Sequence, residues 1–276
     1  MSKSPTISFI GAGNMASAII GGMLDSGFKA SNIWASAPDD GHLQSIRKRF
    51  GISVTTDNRY CAQQADMVVL AVKPQAMADV CRDIAPTAQN TRPLMVSIAA
   101  GLGADTLDEW LGGGLPIVRV MPNTPSLVGK GAAGLFASES VTSAQKKMVQ
   151  SVFEGIGIAV WVEDEALLHG VTALSGSGPA YFFLMLEALE AAATDAGVSA
   201  ETARQLAIQT MAGAAEMAAK SEHDPAQLKK NVMSPGGTTE QAVNTFEEGE
   251  MRALVKKAYN AAYKRSEEMA KELAGK

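Results

Sequence analysis

The feature that most constrains the fold of this chain is an alternation, up to about residue 162, of short apolar runs with segments of helical length. The apolar runs are rich in β-branched residues and are continuous, which is typical of strands covered on both faces. The clearest runs are 6–10, 32–36, 67–72, 94–98 and 116–121, followed by shorter ones near 132–137 and 158–162. The helical segments include 14–26, 40–50, 75–85 and 104–112. This order predicts an α/β fold with a doubly wound parallel sheet over residues 1–162.

Beyond Val162 the strand pattern ends, and the chain is predicted to be helical. The segment 179–196 is apolar on almost every side, and a helix of that kind has to be buried on every side. Because little chain remains to cover it, we expect an all-α domain over 163–276 in which a dimer interface buries this helix. The alternative is a central helix buried within one chain. Further helices are predicted from Ser199 to about Lys220, over 238–248 and over 250–273.

The composition argues against two classes of partner. A formal net charge of -5 and a pI near 5.3, with no block of Lys or Arg, argue against nucleic acid. The uncharged stretch from Ser4 to Leu24 imitates a signal peptide, but glycines and Asn14 interrupt it. No apolar run approaches the roughly 18 residues of a membrane span, so we expect a soluble protein without a membrane partner.

The cysteines and histidines form no pattern typical of a metal site. Cys61 and Cys81 lack C-x-x-C spacing, and we interpret them as small core residues in a reducing, cytoplasmic compartment rather than as redox or metal groups. His42 is predicted on the polar surface of the sheet domain, and His169 is predicted to be a helix-packing residue rather than a base. His223 has no obvious partner in the sequence.

The first predicted strand runs directly into Gly11-Ala12-Gly13-Asn14-Met15-Ala16, the G-x-G-x-x-A form of the dinucleotide fingerprint. Gly11 permits the tight turn, Gly13 lets a pyrophosphate approach the backbone, and Ala16 keeps the next helix close to the strand. The N-terminus of that helix would face the phosphates with free N–H groups. This strand–turn–helix context favours a Rossmann-type dinucleotide site over a merely structural glycine turn.

The end of the second strand bears on the choice of nicotinamide cofactor. Sites that prefer NAD usually carry an acid there, which binds the ribose 2′-hydroxyl. Here the strand ends Ala35-Ser36-Ala37-Pro38, and no acid precedes Asp39. A carboxylate would repel a 2′-phosphate, whereas the Ser36 hydroxyl could donate a hydrogen bond to it. We therefore predict NADPH, with NADH accepted less well.

Other candidate contacts follow later strands, at the edge where open α/β sheets bind ligands. Ala71-Val72-Lys73-Pro74 follows one strand, and Ser97-Ile98-Ala99-Ala100-Gly101 follows another. Lys73 could meet a phosphate or be a plain surface cation. Asn123, in the stiff loop Met121-Pro-Asn-Thr-Pro, could bond either the backbone or a ligand.

Two stretches of the helical domain differ from plain core. The segment Leu174-Ser-Gly-Ser177-Gly-Pro179 is either a ligand loop or a tight turn in which Ser177 caps a helix. The segment Ser234-Pro-Gly-Gly-Thr-Thr-Glu240 places two glycines and two threonines at a helix start, where consecutive N–H groups suit a carboxylate. A capping box of Thr238 with Gln241 is the structural alternative, and both roles can coexist.

The absence of lysine from one part of the chain argues against one class of reaction. No lysine lies between Lys147 and Lys220, so the region between the domains cannot supply the catalytic lysine of a hydroxyacid dehydrogenase. A protonated imine is already a strong electrophile, and its reduction needs hydrogen-bond donors more than a strong base. The donor-rich loops of this chain fit that chemistry.

The chain resembles pyrroline-5-carboxylate reductases in six segments that occur in the same order. These segments are G-A-G-N-M, A-V-K-P, S-I-A-A-G, M-P-N-T-P, S-G-S-G-P-A-Y and S-P-G-G-T-T-E. This resemblance covers essentially the whole chain. It implies a Rossmann domain followed by an all-α dimerisation domain, with dimers assembled into larger rings such as a decamer. It also implies NADPH-dependent reduction of L-1-pyrroline-5-carboxylate to L-proline, the last step of proline biosynthesis.

The resemblance also implies roles for individual residues. Those implied at the cofactor are Gly11, Ala12, Gly13, Asn14, Met15, Ser36, Asn58, Ala71, Val72, Lys73, Pro74, Ala99, Ala100 and Asn123. Those implied at the substrate are Ser177, Glu222, Ser234, Gly236, Gly237, Thr238 and Thr239. Thr239 corresponds to the hydroxyl placed by the imine nitrogen, which makes it the candidate catalytic residue. The loop from Gly236 would hold the carboxylate so that the imine carbon of the ring, C5 in proline numbering, receives a hydride directly.

Three positions depart from the family pattern. Asp224 stands before Pro225 where members commonly have His, and Met233 replaces a small polar residue. Ala37 removes a donor beside the phosphate, which weakens the expected preference for NADPH. The alternative functions are another imine reductase or a hydroxyacid dehydrogenase on the same two-domain plan, and a non-catalytic NADP-binding regulator.

Overall fold

The computed structural model describes residues 5–274, which divide into two compact units. One unit holds the described residues up to Ser177 together with those from Ala262 onward, and the other is Gly178–Ala261. The strands are β1 (Ile7–Ile10), β2 (Ile33–Ser36), β3 (Ser53–Thr55), β4 (Met67–Leu70), β5 (Leu94–Ser97), β6 (Ile117–Met121), β7 (Gly131–Ala137) and β8 (Gly157–Trp161). The helices are α1 (Asn14–Asp25), α2 (Asp40–Phe50), α3 (Asn58–Gln63), α4 (Pro74–Thr91), α5 (Ala104–Trp110), α6 (Ser143–Glu154), α7 (Leu167–Val171), α8 (Gly178–Asp195), α9 (Ala200–Lys220), α10 (Pro225–Val232), α11 (Thr238–Glu248) and α12 (Met251–Ala274). The domain boundary after residue 162 stays a prediction.

The strands of the first unit form one sheet in the order β3-β2-β1-β4-β5-β6-β7-β8. Strands β1 to β6 run parallel to one another, and Phe9 of β1 lies between Ala35 of β2 and Val69 of β4. The order of the strands reverses beside β1, and a ligand crevice is expected at the carboxyl ends of strands around such a point. The predicted Rossmann-type sheet is confirmed.

Successive side chains of the strands enter two apolar cores, one on each face of the sheet. Phe9 lies in one core and its neighbour Ile10 in the other, and both are fully buried. This arrangement explains why the strands are continuous apolar runs. Cys61 and Cys81 lie in the core of Ile10, where burial raises the pKa of their thiols to about 11 and about 12. Their interpretation as core residues is confirmed.

Two features of the sheet go beyond the sequence prediction. The pattern does not predict β3, because Ser53–Thr55 is short, partly polar and only half-buried. β7 extends the sheet as expected, but it runs antiparallel to β6 and pairs Leu135 with Val120. The connection 122–130 is shorter than the crossover of a dozen or more residues that a parallel pair needs, so the chain returns in the opposite direction.

The second unit is built from helices, as predicted. α9 begins after Ser199, whose hydroxyl accepts a hydrogen bond from the Thr202 N–H at 3.2 Å. The additional helix α10 begins after Asp224, whose carboxylate accepts from the Gln227 N–H at 2.8 Å. The acid that departs from the family pattern therefore has a local structural role as a helix cap.

Helix α8 leaves its apolar surface exposed within one chain. Phe182, Phe183 and Leu184 are 60%, 63% and 66% exposed, whereas Gly178 and Pro179 are the buried residues of this fully described helix. The alternative of a central helix buried within one chain is therefore wrong. Contiguous exposed apolar surface of this kind is typical of a protein–protein interface.

Two kinds of feature are absent from residues 5–274. No helix there combines the length and the apolar composition that crossing a membrane requires. No group of three or more His, Cys, Asp or Glu side chains in the same range is arranged to hold a metal ion. The longest helix, α12, carries charges such as Arg252, Lys264 and Glu268.

Gly22 of α1 is expected to tolerate no side chain, unlike its neighbour Gly21. A Cβ atom on Gly22 would lie 2.3 Å from Ile156 Cγ2 and 2.6 Å from the Gly155 carbonyl oxygen, whereas one on Gly21 would meet Phe50 Cε1 at 3.6 Å. Gly22→Ala should lower the free energy of unfolding by about 1–3 kcal/mol through overpacking. Gly21→Ala should raise it by up to about 1 kcal/mol, because alanine favours the helix. Denaturant unfolding at one protein concentration compares the two variants, and equal stabilities would contradict the close contact at Gly22.

Candidate functional site

The turn after β1 packs the fingerprint glycines against the ends of two neighbouring strands. Gly11 has φ +101°, and its N–H donates to the Ser36 carbonyl oxygen at 2.9 Å. A Cβ atom on Gly11 would lie 2.6 Å from the Ala71 carbonyl oxygen, whereas one on Gly13 would meet nothing within 4 Å beyond its chain neighbours. Ala16 is 1% exposed, so α1 lies close to the sheet as predicted. The open space at Gly13, the N-cap of α1, fits the approach of a pyrophosphate.

The ends of β2 and β4 adjoin this turn and carry further predicted residues. The Ser36 hydroxyl is buried and donates to Asn58 Oδ1 at 2.7 Å, so these two residues form a hydrogen-bonded pair. Because the Asn58 oxygen accepts this bond, the amide nitrogen of the same side chain is turned away from Ser36 and can donate to a ligand. Lys73 is exposed at the N-cap of α4, where a phosphate contact and a plain surface position both stay open.

A cavity of about 150 Å³ in the first unit brings together residues from distant parts of the sequence. Its lining residues are Ala100, Gly101, Thr172, Ser177, Ala262, Arg265, Ser266 and Met269. Ala100 is predicted near the nicotinamide and Ser177 near the substrate, so residues with the two roles share one cavity. Ala99 is 7% exposed, and its N–H donates to Ser97 Oγ at 3.3 Å.

Asn123 joins two backbone segments within the first unit. Its Nδ2 donates to the Ser175 carbonyl oxygen at 3.0 Å, and its Oδ1 accepts from the Ala132 N–H at 2.9 Å. These contacts support the backbone alternative and tie the loop after β6 to the segment before Ser177. The role of Asn123 at the cofactor stays a prediction.

His169 packs within the first unit, in agreement with its interpretation from the sequence. Its Nδ1 lies 2.8 Å from Ser266 Oγ, and its ring meets the Tyr263 ring edge-on with the centroids 6.0 Å apart. Burial, with a smaller contribution from nearby Arg119, lowers the pKa of His169. The neutral form of the ring is therefore favoured.

Sequence reasoning missed a contact of His42 with the fingerprint loop. His42 Nε2 lies 2.7 Å from the Ala12 carbonyl oxygen, and because a carbonyl only accepts, the ring is the donor. His42 stands in the first turn of α2, whose N-cap Asp39 accepts from the His42 N–H at 3.1 Å. The position of His42 in the chain could have indicated this contact. His42 lies at the start of the helix that follows β2, and β2 pairs with β1, the strand that leads into the fingerprint.

The turn before α11 already accepts a negatively charged group. Gly236 has φ +70°, and its N–H donates to Glu240 Oε2 at 2.7 Å. The Gly237 N–H donates to the Ser234 carbonyl oxygen at 2.9 Å, which closes the turn by backbone contacts alone. The predicted suitability of this turn for a carboxylate is therefore supported by a carboxylate of the chain itself.

The start of α11 differs from the capping alternative. Gly237 is the N-cap and no side chain caps the helix, so the proposed capping box of Thr238 with Gln241 is wrong. The N–H groups of the first turn, including that of Thr239, have no partner within an α-helix and are directed outward. Glu222 is exposed in the connection between α9 and α10 of the same unit.

Gly13 and Gly11 should respond differently to an added methyl group. Gly13→Ala fills the open space in front of α1, so we expect dinucleotide binding to weaken more than about tenfold because the methyl occupies the place of a phosphate. Unfolding should be little changed, since the Cβ atom meets no neighbour. Gly11→Ala should destabilise the fold itself, because φ is +101° and the Ala71 carbonyl oxygen is too close. Calorimetric titration and thermal unfolding of both variants test this, and a Gly13→Ala variant with unchanged affinity would contradict the placement.

Comparison with known families and proteins agrees with both halves of the chain. A family model described as NADP oxidoreductase coenzyme F420-dependent matches residues 6–101, and one described as pyrroline-5-carboxylate reductase dimerisation matches residues 165–269. A pyrroline-5-carboxylate reductase of Pseudomonas aeruginosa is 48% identical over 271 residues, which are 98% of this chain and 99% of that protein. One of Vibrio alginolyticus is 46% identical over 96% of this chain and 97% of its own length.

Solved structures give the same result. A pyrroline-5-carboxylate reductase of Coxiella burnetii superposes with a TM-score of 0.94 at 42% identity, covering 97% of this chain and 99% of that one. A pyrroline carboxylate reductase of Plasmodium falciparum with NADP bound superposes with a TM-score of 0.85 at 34% identity, covering 97% and 98%. The similarity extends over both units and includes the loops in which the predicted site residues lie. The chain belongs to the pyrroline-5-carboxylate reductase family.

Proposed function

We propose that this chain reduces L-1-pyrroline-5-carboxylate to L-proline with NADPH, the last step of proline biosynthesis. The observation that carries the proposal is its similarity, over nearly its whole length, to reductases of that name. The reaction adds a hydride to the carbon of the ring C=N bond, which becomes C5 of proline, and a proton to the ring nitrogen. The protein therefore needs a dinucleotide site, an anchor for the carboxylate and a polar group beside the nitrogen.

The first unit is proposed to hold NADPH, which supplies the hydride when it is bound. Gly11–Met15 would receive the pyrophosphate at the start of α1, where N–H groups and the helix dipole favour anions. The Asn58 amide, oriented by Ser36, is proposed to donate to the 2′-phosphate. No acid precedes Asp39 at the end of β2, so NADPH is favoured and NADH is accepted less well. Further proposed contacts are Ala71, Val72, Lys73, Pro74, Ala99, Ala100 and Asn123.

The turn before α11 is proposed to anchor the substrate carboxylate. The outward N–H groups of Thr238 and Thr239 are the donors, and the partial positive charge of the helix N-terminus favours the anion. The Gly236 N–H becomes available to the substrate only when Glu240 moves away from it. The substrate contacts proposed from the family pattern are Ser177, Glu222, Ser234, Gly236, Gly237, Thr238 and Thr239.

Thr239 is proposed to act at the ring nitrogen of the imine. Its hydroxyl would donate a hydrogen bond that orients the nitrogen or passes it a proton. With the carboxylate anchored one residue away, the five-membered ring has little freedom, and the imine carbon is held where it can accept a hydride. Catalysis then rests chiefly on positioning, which agrees with the absence of a strong base among the proposed residues.

The assembly is proposed to be a homodimer formed through the helical unit, with dimers assembled further into a decamer. The exposed apolar surface of α8 and the dimerisation family model over residues 165–269 support the dimer. The start of that match also supports functional domains of 1–162 and 163–276. A cytoplasmic location is proposed because both free cysteines are buried thiols, as expected in a reducing compartment.

The direct test is spectrophotometric oxidation of NADPH with racemic pyrroline-5-carboxylate. The wild-type protein should consume NADPH and release L-proline, identified by chiral chromatography. Thr239→Ala should lower kcat/KM by about 5- to 150-fold, because one well-placed hydrogen bond in the transition state is lost.

Thr239→Ser is the matched control, since it keeps the hydroxyl and should retain most of the activity. Wild-type protein that binds NADPH without turning over the imine would contradict the proposed function. A Thr239→Ala variant with wild-type kinetics would exclude Thr239 from the mechanism alone.

A further inference from the structure

We propose that His42 is a positioning residue for the dinucleotide, which fixes the direction of the Gly13 N–H through the peptide bond between Ala12 and Gly13. The inference rests on the proposed binding of NADPH to the fingerprint loop. His42 Nε2 donates to the Ala12 carbonyl oxygen at 2.7 Å. His42 itself need not touch the cofactor, because it acts through the backbone.

The geometry of the peptide bond carries this effect from one residue to the next. The Ala12–Gly13 peptide is trans and planar, so the Ala12 carbonyl and the Gly13 N–H point in opposite directions. A hydrogen bond that holds the carbonyl on the side of α2 therefore holds the N–H on the opposite side. The Gly13 N–H belongs to the loop that receives the pyrophosphate in fingerprints of this kind.

The fingerprint loop needs such a restraint because glycines flank the peptide on both sides. Gly11 and Gly13 have no Cβ atom to limit rotation about their backbone bonds. The Gly13 carbonyl accepts from the Ser17 N–H at 2.9 Å, which holds the peptide bond after Gly13. No neighbouring atom would lie within 4 Å of a Cβ atom at Gly13, so no packed atom on that side restrains the peptide bond before it. Ala12 is 4% exposed, and its carbonyl is held by the imidazole.

The imidazole is carried by a firmly anchored helix. Asp39 accepts from the His42 N–H at the start of α2, and the next residue, Leu43, is fully buried in the core. The His42 side chain itself is exposed, so its removal should cost little stability. The helix therefore provides a fixed point from which the ring reaches the loop.

Three substitutions separate the hydrogen bond from the rest of the side chain. His42→Ala removes the donor, and we expect the Kd for NADPH to rise about 3- to 10-fold, as for the loss of one neutral hydrogen bond. His42→Gln should restore affinity to within about twofold, because its amide nitrogen is the same number of bonds from the backbone as Nε2. His42→Asn, which is one bond shorter, should behave like His42→Ala.

The affinity is measured by calorimetric titration of the full-length protein with NADPH and no substrate, so the result does not depend on turnover. Gln44→Ala is the control, since Gln44 is an exposed residue of the same helix whose side chain donates to Asp40. It should leave the Kd unchanged. In steady-state kinetics His42→Ala should raise KM for NADPH while leaving kcat at saturating NADPH unchanged, a split that general destabilisation would not produce.

Wild-type affinity of His42→Ala would overturn the proposal. An equal loss of NADPH affinity in His42→Ala and His42→Gln would also overturn it, because the hydrogen-bond donor would then be irrelevant. Wild-type protein that binds NADPH but reduces no imine would refute the proposed function while leaving the role of His42 testable.

Discussion

The tight turn of the chain at Gly11 determines which groups of the first unit can contact a ligand. The turn lies where β1, flanked by β2 and β4, ends beside the reversal of strand order. The Gly11 N–H bonds the last residue of β2, and its α-carbon lies so close to Ala71 that no side chain fits. This packing brings three strand ends to one edge. The Ser36–Asn58 pair, the loop from Ala71 and the start of α1 are consequently neighbours.

The candidate site relies on backbone donors more than on charged side chains. At α1 and at α11 a glycine is the N-cap and the N–H groups of the helix start are directed outward, and at α1 the open space at Gly13 leaves room for an approaching anion. Backbone donors are fixed by the fold, so their direction costs little entropy when a ligand binds. The side chains of His42 and Glu240 then act on the glycine turns, one at the Ala12 carbonyl and the other at the Gly236 N–H.

Much of this architecture could be predicted from the sequence because the relevant signals are local. Continuous apolar runs predict strands buried on both faces, and the fingerprint predicts the turn and helix that follow β1. Features that depend on contacts between distant parts of the chain were harder to predict. The direction of β7 depends on the length of its connection to β6, and β3 is too short and polar to stand out. The backbone contacts of Asn123 join segments far apart in the chain, and no periodicity reports such a contact.

In the helical unit, the sequence and the structure of one chain disagree about burial. The apolar character of α8 predicts burial, yet one chain leaves Phe182 and Phe183 exposed. That conflict between composition and exposure is itself the indication of a partner, because apolar surface of this extent is rarely left in water. The capping alternative at Thr238 failed for a different reason. The helix begins one residue earlier than the capping box requires, and motif spacing alone cannot fix a helix boundary to one residue.

The proposed anchoring of the ring's acid group by the turn before α11 is tested most directly by a crystal structure of the protein with both NADP and proline bound. We expect a proline carboxylate oxygen within about 3 Å of backbone nitrogens in residues 236–239, with Glu240 displaced from Gly236. A proline whose carboxylate lay away from this turn, beside an unmoved Glu240, would contradict it.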